Sequence, residues 1–306
     1  MTITADTSEM TLGSIRGVLE SHVAHGYASG VVALVGQGEA SHVLTIGAKA
    51  LGAADPMRGD TIFRITSMTK PVTTAAAMML IDEGKLRLDE PVDRLLPELA
   101  DRRVLNRIDS PLDDTVAANR PITLEDVLSF RLGLGVVLAR PGAYPIQRAI
   151  AELGLMGFGP PDPTSPYDPD EWIRRLGTLP LMAQPGEQWM YTAGANVLGV
   201  LIARASGQSL PEFLHDRIFE PLGMKDTAFY VPAAKLDRLP ATYRPTAAGL
   251  ALYDEAANSA WGKPPARPGT QAWSPPSTTT SLSPGSCRAR AAPAVASFSP
   301  RSRSRP

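Results

Sequence analysis

The chain has 306 residues, is 43% hydrophobic and carries a formal net charge of −1. That length supports one large domain or two lobes sharing a core. The near-neutral charge makes no case for a nucleic-acid or membrane-surface partner. No apolar run reaches the about 18 residues a membrane span needs.

The polar start Met1 to Met10 lacks the apolar stretch of a signal peptide, so a cytoplasmic location is the default expectation. The single cysteine, Cys287, cannot form an internal disulfide. No Cys/His cluster points to a metal, and no cofactor is expected.

From about Thr11 to Gly26, Leu12, Ile15, Val18, Leu19 and Val23 recur at helical spacing. Two strands follow, one from Gly30 and one from His42, around a turn between Gly36 and Ala40. The stretch after Asp60 leads into a helix that starts near Thr66 or Ser67 and ends at Gly84. Leu86, Leu88, Val92, Leu95 and Leu96 predict a loop and a short helix against the core.

Thr123 caps a further helix. Residues Gly142 to Tyr167 are rich in Pro and Gly and read as irregular loop. Short helices are expected from Pro169 and from Leu210 to Gly223, with a strongly apolar helix over Gly194–Ser206 between them. Strands first and then a helical middle suggest a sheet-containing lobe with a helical insert, an α/β (α+β) architecture.

Chemistry concentrates at Ser67-Met68-Thr69-Lys70, an S-x-x-K sequence. If Ser67 opens a helix, Lys70 lies about one turn on and its amine reaches the hydroxyl. A serine hydroxyl needs such a base to become a nucleophile at neutral pH. Burial would lower the lysine pKa and suit it to the task. The helix N-terminus would favour an oxyanion at Ser67. A bare tetrapeptide of this kind equally describes a capping serine and a solvated lysine. The small apolar run from Thr73 to Leu80 argues for a buried helix instead.

Other polar residues carry less. His22, His25, His42 and His215 are scattered, and no Gly-x-Ser-x-Gly elbow occurs, so a Ser-His-Asp site is disfavoured. Asp168 and Asp170 read as solvated loop. Trp172, Trp189, Trp261 and Trp273 read as packing residues.

The segment from Phe63 to Thr73 (FRITSMTKPVT) resembles the nucleophile segment of the β-lactamase-related serine hydrolases. This group includes class C β-lactamases, family VIII carboxylesterases and D-alanyl-D-alanine carboxypeptidase-like proteins. Four more segments follow in the family's order, beginning at Asp82, Thr123, Pro185 and Phe219. The likeness covers about residues 10 to 265.

It implies a β-lactamase/transpeptidase-like fold: an antiparallel sheet flanked by helices plus a helical lobe. The sheet lobe would take about 1–90 and 205–265, and the helical lobe about 91–204. The likeness also implies Ser67 as nucleophile, Lys70 as its activator and Tyr191 as a second proton-transfer group. Acyl transfer on an ester or amide, through an acyl-enzyme on Ser67, would follow. Its Y-x-N motif is here Tyr191-Thr192-Ala193, without the asparagine that helps hold a β-lactam amide. Asn196 falls on the following helix.

The family's third motif, K-T-G or H-x-G, is absent after Tyr191. The last acidic residue is Glu255 and the last lysine Lys263; beyond them lie almost only Pro, Ser, Thr, Ala and Arg. Residues 266–306 are therefore expected to be a disordered, non-homologous tail that supplies none of the family's C-terminal strands. One codon choice for 271–285, read in another frame, spells Gly-Leu-Val-Ser-Thr-Val-Asp-Asp-Tyr-Leu-Ala-Phe-Ala-Arg, a segment of the family's kind. The expectation is a frame shift between about residues 263 and 271. A chain so altered would keep an unpaired sheet edge, fold poorly and turn over little substrate. A catalytically inactive product that at most binds acyl ligands is the rival reading.

Overall fold

The computed structural model describes residues 5–37, 40–156, 167–263 and 279–281. Helix α1 (Ala5–Ala24) precedes a hairpin of β1 (Gly30–Gln37) and β2 (Ala40–Gly47), paired antiparallel with Gly30 opposite Gly47. Leu44 and Ile46 point inward from β2. Short β3 (Ile62–Arg64) leads through a 3₁₀ turn, Thr66–Met68, into α2 (Thr69–Asp82).

Two 3₁₀ turns, Val92–Arg94 and Pro97–Leu99, stand where the leucine-rich stretch predicted a short helix. The ladder of β4 (Arg103–Leu105) and β5 (Thr115–Ala117) follows. Helix α3 (Leu124–Leu128) is capped as expected: Thr123 Oγ1 accepts from the Asp126 N–H, and Asp126 returns the bond to the Thr123 N–H at 2.9 Å.

The Pro/Gly-rich stretch expected to be irregular contains a helix, α4 (Pro145–Glu152). Pro145 suits its first turn, Gln147 accepts from the Tyr144 N–H at 3.1 Å, and Ile146 and Ile150 bury four residues apart. Part of that stretch, 157–166, lies outside the described residues.

Asp168 and Asp170, read as solvated loop, have structural work in α5 (Pro169–Gly177). Asp168 caps its N-terminus, and Asp170 pairs with Arg204 at 2.7 Å. Arg204 also grips Glu98 at 2.8 Å, tying α6 (Ala193–Ser206) to the turn at Pro97–Leu99. Helix α7 (Leu210–Leu214) runs into a π-turn, His215–Phe219, rather than one helix to Gly223.

The main core lies around α6. Helix α6 buries residues on all sides, among them Ala193, Val197, Val200, Leu201 and Ile202, as a central helix should. Helices α2, α3, α5 and α7 pack on it. The small side chains of Ala76 and Ala77 on α2, both fully buried, allow close approach.

A second, smaller core gathers Ile62, Val231 and Leu239. Beside it stands a hairpin absent from the sequence reading, β6 (Thr242–Thr246) and β7 (Gly249–Asp254). Pro245 and the Ala247-Ala248 turn hide its alternation.

The expected single sheet is, among the described residues, four separate two-stranded antiparallel ladders. The tail was expected to supply no strand. It supplies a short one, β8 (Thr279–Ser281), paired with β3 so that Ile62 faces Ser281. The remainder of 266–306, with Cys287 and Trp273, lies outside the described residues. Among the described residues no helix is long and apolar enough to cross a membrane.

Arg64, at the end of β3, fastens this strand to the hairpin. Its guanidinium pairs with Asp254, donates to the Pro240 carbonyl at 2.8 Å and to Ser259 Oγ at 3.1 Å, and lies over the Trp261 ring. Burial pulls its pKa below the usual arginine value, against the pull of Asp254. Removing one partner of such a pair strands the other charge. Arg64→Met is expected to destabilise the chain by about 3–5 kcal/mol, read as a lower denaturant midpoint; an unchanged midpoint would show the clasp to be idle.

Candidate active site

Ser67 sits at the middle of the 3₁₀ turn and Lys70 is the second residue of α2. Positions i and i+3 lie on one side of a 3₁₀ turn and of an α-helix alike, so the junction between them sets Ser67 beside Lys70. Lys70 Nζ accordingly donates to Ser67 Oγ at 3.0 Å. Tyr191, 124 residues away, closes the triangle: its oxygen lies 2.8 Å from Ser67 Oγ and 3.0 Å from Lys70 Nζ. The three residues singled out in the sequence thus meet at one place.

Their surroundings correct one expectation. The turn is not buried: Ser67 is exposed, and Lys70 and Tyr191 are half-buried. Hydrogen bonding, ahead of desolvation, therefore sets the electrostatics of the phenol. Hydrogen bonds from Lys70 and then Ser67 hold the Tyr191 phenol below the ordinary tyrosine pKa, with burial opposing them. The ammonium also lies 4.5 Å from the centre of the Tyr191 ring.

The backbone is strained at this place. Thr66 (φ 43°) precedes the serine, Thr192 (φ 85°) follows the tyrosine, and Phe130 (φ 58°) packs against it. β-Branched residues rarely adopt positive φ, and such strain collects at working sites. Neighbouring backbone holds Tyr191 in turn. The Val136 N–H donates to the Tyr191 carbonyl at 2.9 Å and the Met190 N–H to the Phe130 carbonyl at 2.7 Å. A side chain at Gly135 would sit 2.7 Å from Met190 Cβ, so only glycine admits this approach.

Two cavities border the site without including the three residues. One of about 310 Å³ is lined by Phe63, Arg64 and Thr66, which lead into Ser67, together with Met57, Tyr243 and Trp261. One of about 200 Å³ is lined by Gly135 and Val136, beside Tyr191, and by Ile150 and Met156.

Trp172 and Trp261 are buried packing residues as expected, but Trp189 is 61% exposed. It lies tilted beside Tyr191 with ring centres 5.9 Å apart, and Phe130 completes the cluster. The sequence reading took it for a packing residue, because residue type alone does not reveal exposure. Asn196 is buried in α6 with its Nδ2 unpartnered. His215 pairs with Asp216 at 3.0 Å and Glu220 lies 4.0 Å off, an exposed group that includes none of the three residues.

The architecture is β-lactamase/transpeptidase-like. It superposes on EstCE1, a hydrolase with promiscuous acyltransferase activity, with a TM-score of 0.73 at 24% identity, covering 91% of this chain and 71% of that one. Against a variant of simvastatin synthase from Aspergillus terreus the TM-score is 0.66 at 24% identity, covering 90% and 64%.

The chain belongs to the Beta-lactamase family, whose model matches residues 15–278. It is 42% identical over 232 residues to an uncharacterised protein of Mycobacterium tuberculosis, covering 76% of this chain and 54% of that protein. It is 35% identical over 205 residues to esterase EstB of Burkholderia gladioli, covering 65% and 47%. The chain thus spans about half the length of the curated relatives it matches.

The lysine's hold on the phenol is directly measurable. In Lys70→Met the Tyr191 phenol is expected to titrate at higher pH than in the parent, because the depressing ammonium is gone. Ultraviolet difference titration against Tyr191→Phe isolates this one of the seven tyrosines; coincident curves for parent and variant would refute the coupling.

Proposed function

We propose that the chain is a serine hydrolase that cleaves esters through an acyl-enzyme on Ser67. The observation that carries this reading is the triangle of Ser67 Oγ, Lys70 Nζ and Tyr191 Oη, with every side at or below 3.0 Å. A hydroxyl beside a phenol oxygen that a neighbouring ammonium holds toward its anion has somewhere to put its proton.

In this mechanism the Tyr191 oxygen, held toward phenolate by Lys70, takes the Ser67 proton as Oγ attacks the ester carbonyl. The same oxygen then returns the proton to the departing alcohol. Water, activated in the reverse sense, releases the acid and frees Ser67. The N–H of Ser67, at the head of the turn into α2, is the expected donor to the oxyanion, favoured by the helix dipole.

Esters suit the site better than β-lactams. Ala193 stands where the family's asparagine would hold an amide, and relatives of this chain carry the names esterase EstB and lovastatin esterase. One observation favours a second reading, a chain that acylates without turning over. No K-T-G or H-x-G follows Tyr191, so the sequence shows no third motif to complete the oxyanion site.

Stopped-flow hydrolysis of p-nitrophenyl acetate separates the two. The hydrolase reading expects a nitrophenol burst followed by steady turnover, with both lost in Ser67→Ala. It expects kcat/KM to fall about 10²–10⁴-fold in Lys70→Met and Tyr191→Phe. A burst without turnover favours the second reading, and Ser67→Ala activity equal to the parent's refutes both.

A further inference from the structure

We infer that Trp189 is the specificity-determining residue of this site, presenting its indole face to a flat, apolar ring on the acyl group of the substrate. The inference rests on Ser67 as the nucleophile and goes beyond it to the substrate's class: arylacyl or similarly ring-bearing esters.

Three observations converge. The first is exposure. A tryptophan buries about 150–250 Å² when covered, yet Trp189 leaves 61% of its surface open. Single exposed apolar residues are ordinary on a protein surface; their position makes these two informative. Met68, 68% exposed, directly follows Ser67, and Trp189 precedes Tyr191 by two residues. Two large open apolar side chains therefore stand close to the two reacting residues in the chain.

The second is rigidity. Trp189 is held by ring contacts to Tyr191 at 5.9 Å and to Phe130 at 6.2 Å, and Phe130 in turn contacts Tyr191 at 6.1 Å. An exposed indole fixed by two other rings offers a preorganised face, and a ligand loses little freedom by stacking on it.

The third is distance. The Tyr191 ring, tilted against Trp189, carries the oxygen 2.8 Å from Ser67 Oγ. To meet the indole, an acyl group on Ser67 would have to span the phenol between them, which a ring-bearing group could do and a methyl group could not. Aromatic pairs prefer offset or tilted stacking at such separations.

The test compares two sulfonyl fluorides that share one reaction. Ser67 Oγ bonds to sulfur, the S–F bond breaks, fluoride leaves, and the serine proton passes to the Tyr191–Lys70 pair. Phenylmethanesulfonyl fluoride carries a flat ring and methanesulfonyl fluoride does not; neither needs deacylation. Labelling rates by intact mass are measured for the parent, Trp189→Leu, which keeps apolar bulk without a flat face, and Trp189→Phe.

The expected result is a phenylmethyl-to-methyl rate ratio about three- to tenfold lower in Trp189→Leu and largely restored in Trp189→Phe. An unchanged ratio in Trp189→Leu, or an equal fall in both variants, overturns the inference while leaving the nucleophile in place. Failure of both reagents to modify Ser67 in a folded parent chain removes the nucleophile and this inference together.

Discussion

The site depends on one constraint: a hydroxyl, an amine and a phenol from segments 124 residues apart must sit within 3.0 Å of one another. Two features meet it. Locally, the three-residue spacing across the junction of the 3₁₀ turn and α2 sets Ser67 and Lys70 on one side. Globally, α2 packs on α6, and Tyr191 stands two residues before α6 begins. The residues that join these helices to the chemistry, Thr66 and Thr192, bear the positive φ angles. The helical core is thus the frame, and the strain at its two exits aims the side chains.

Electrostatically the triangle is a surface device. Ser67 is open to solvent, so the site cannot rely on desolvation to tune its groups. It relies on contact: the ammonium lowers the phenol, and the phenol lies against the serine oxygen. An aromatic cluster of Phe130, Trp189 and Tyr191 fixes the phenol from the other side. On the proposed reading, proton transfer and acyl-group recognition would meet at one residue, since the ring beside Trp189 carries the oxygen facing Ser67.

Much of this was legible in the sequence. Helical periodicity located α2 and α6 to within a few residues, because both bury continuous apolar surface. The S-x-x-K spacing and the ordered family segments located Ser67, Lys70 and Tyr191. What escaped was long-range or masked by local composition. Pro and Gly concealed α4, whose helix rests on Ile146, Ile150 and a Gln147 cap. Pro245 concealed the β6–β7 hairpin, which Arg64 fastens to β3 from 190 residues away. The partner of β3 was illegible because Thr279–Ser281 has no apolar alternation and pairs through its backbone. Trp189 looked like a packing residue because identity alone does not reveal exposure.

The account stands or falls on where an electrophile attaches. Treatment with an alkyl fluorophosphonate, proteolysis and peptide mass mapping would place the adduct on a single residue. The account predicts modification at Ser67, slowed when Tyr191 is replaced by Phe. An adduct on another residue, or none on a folded chain, would contradict it.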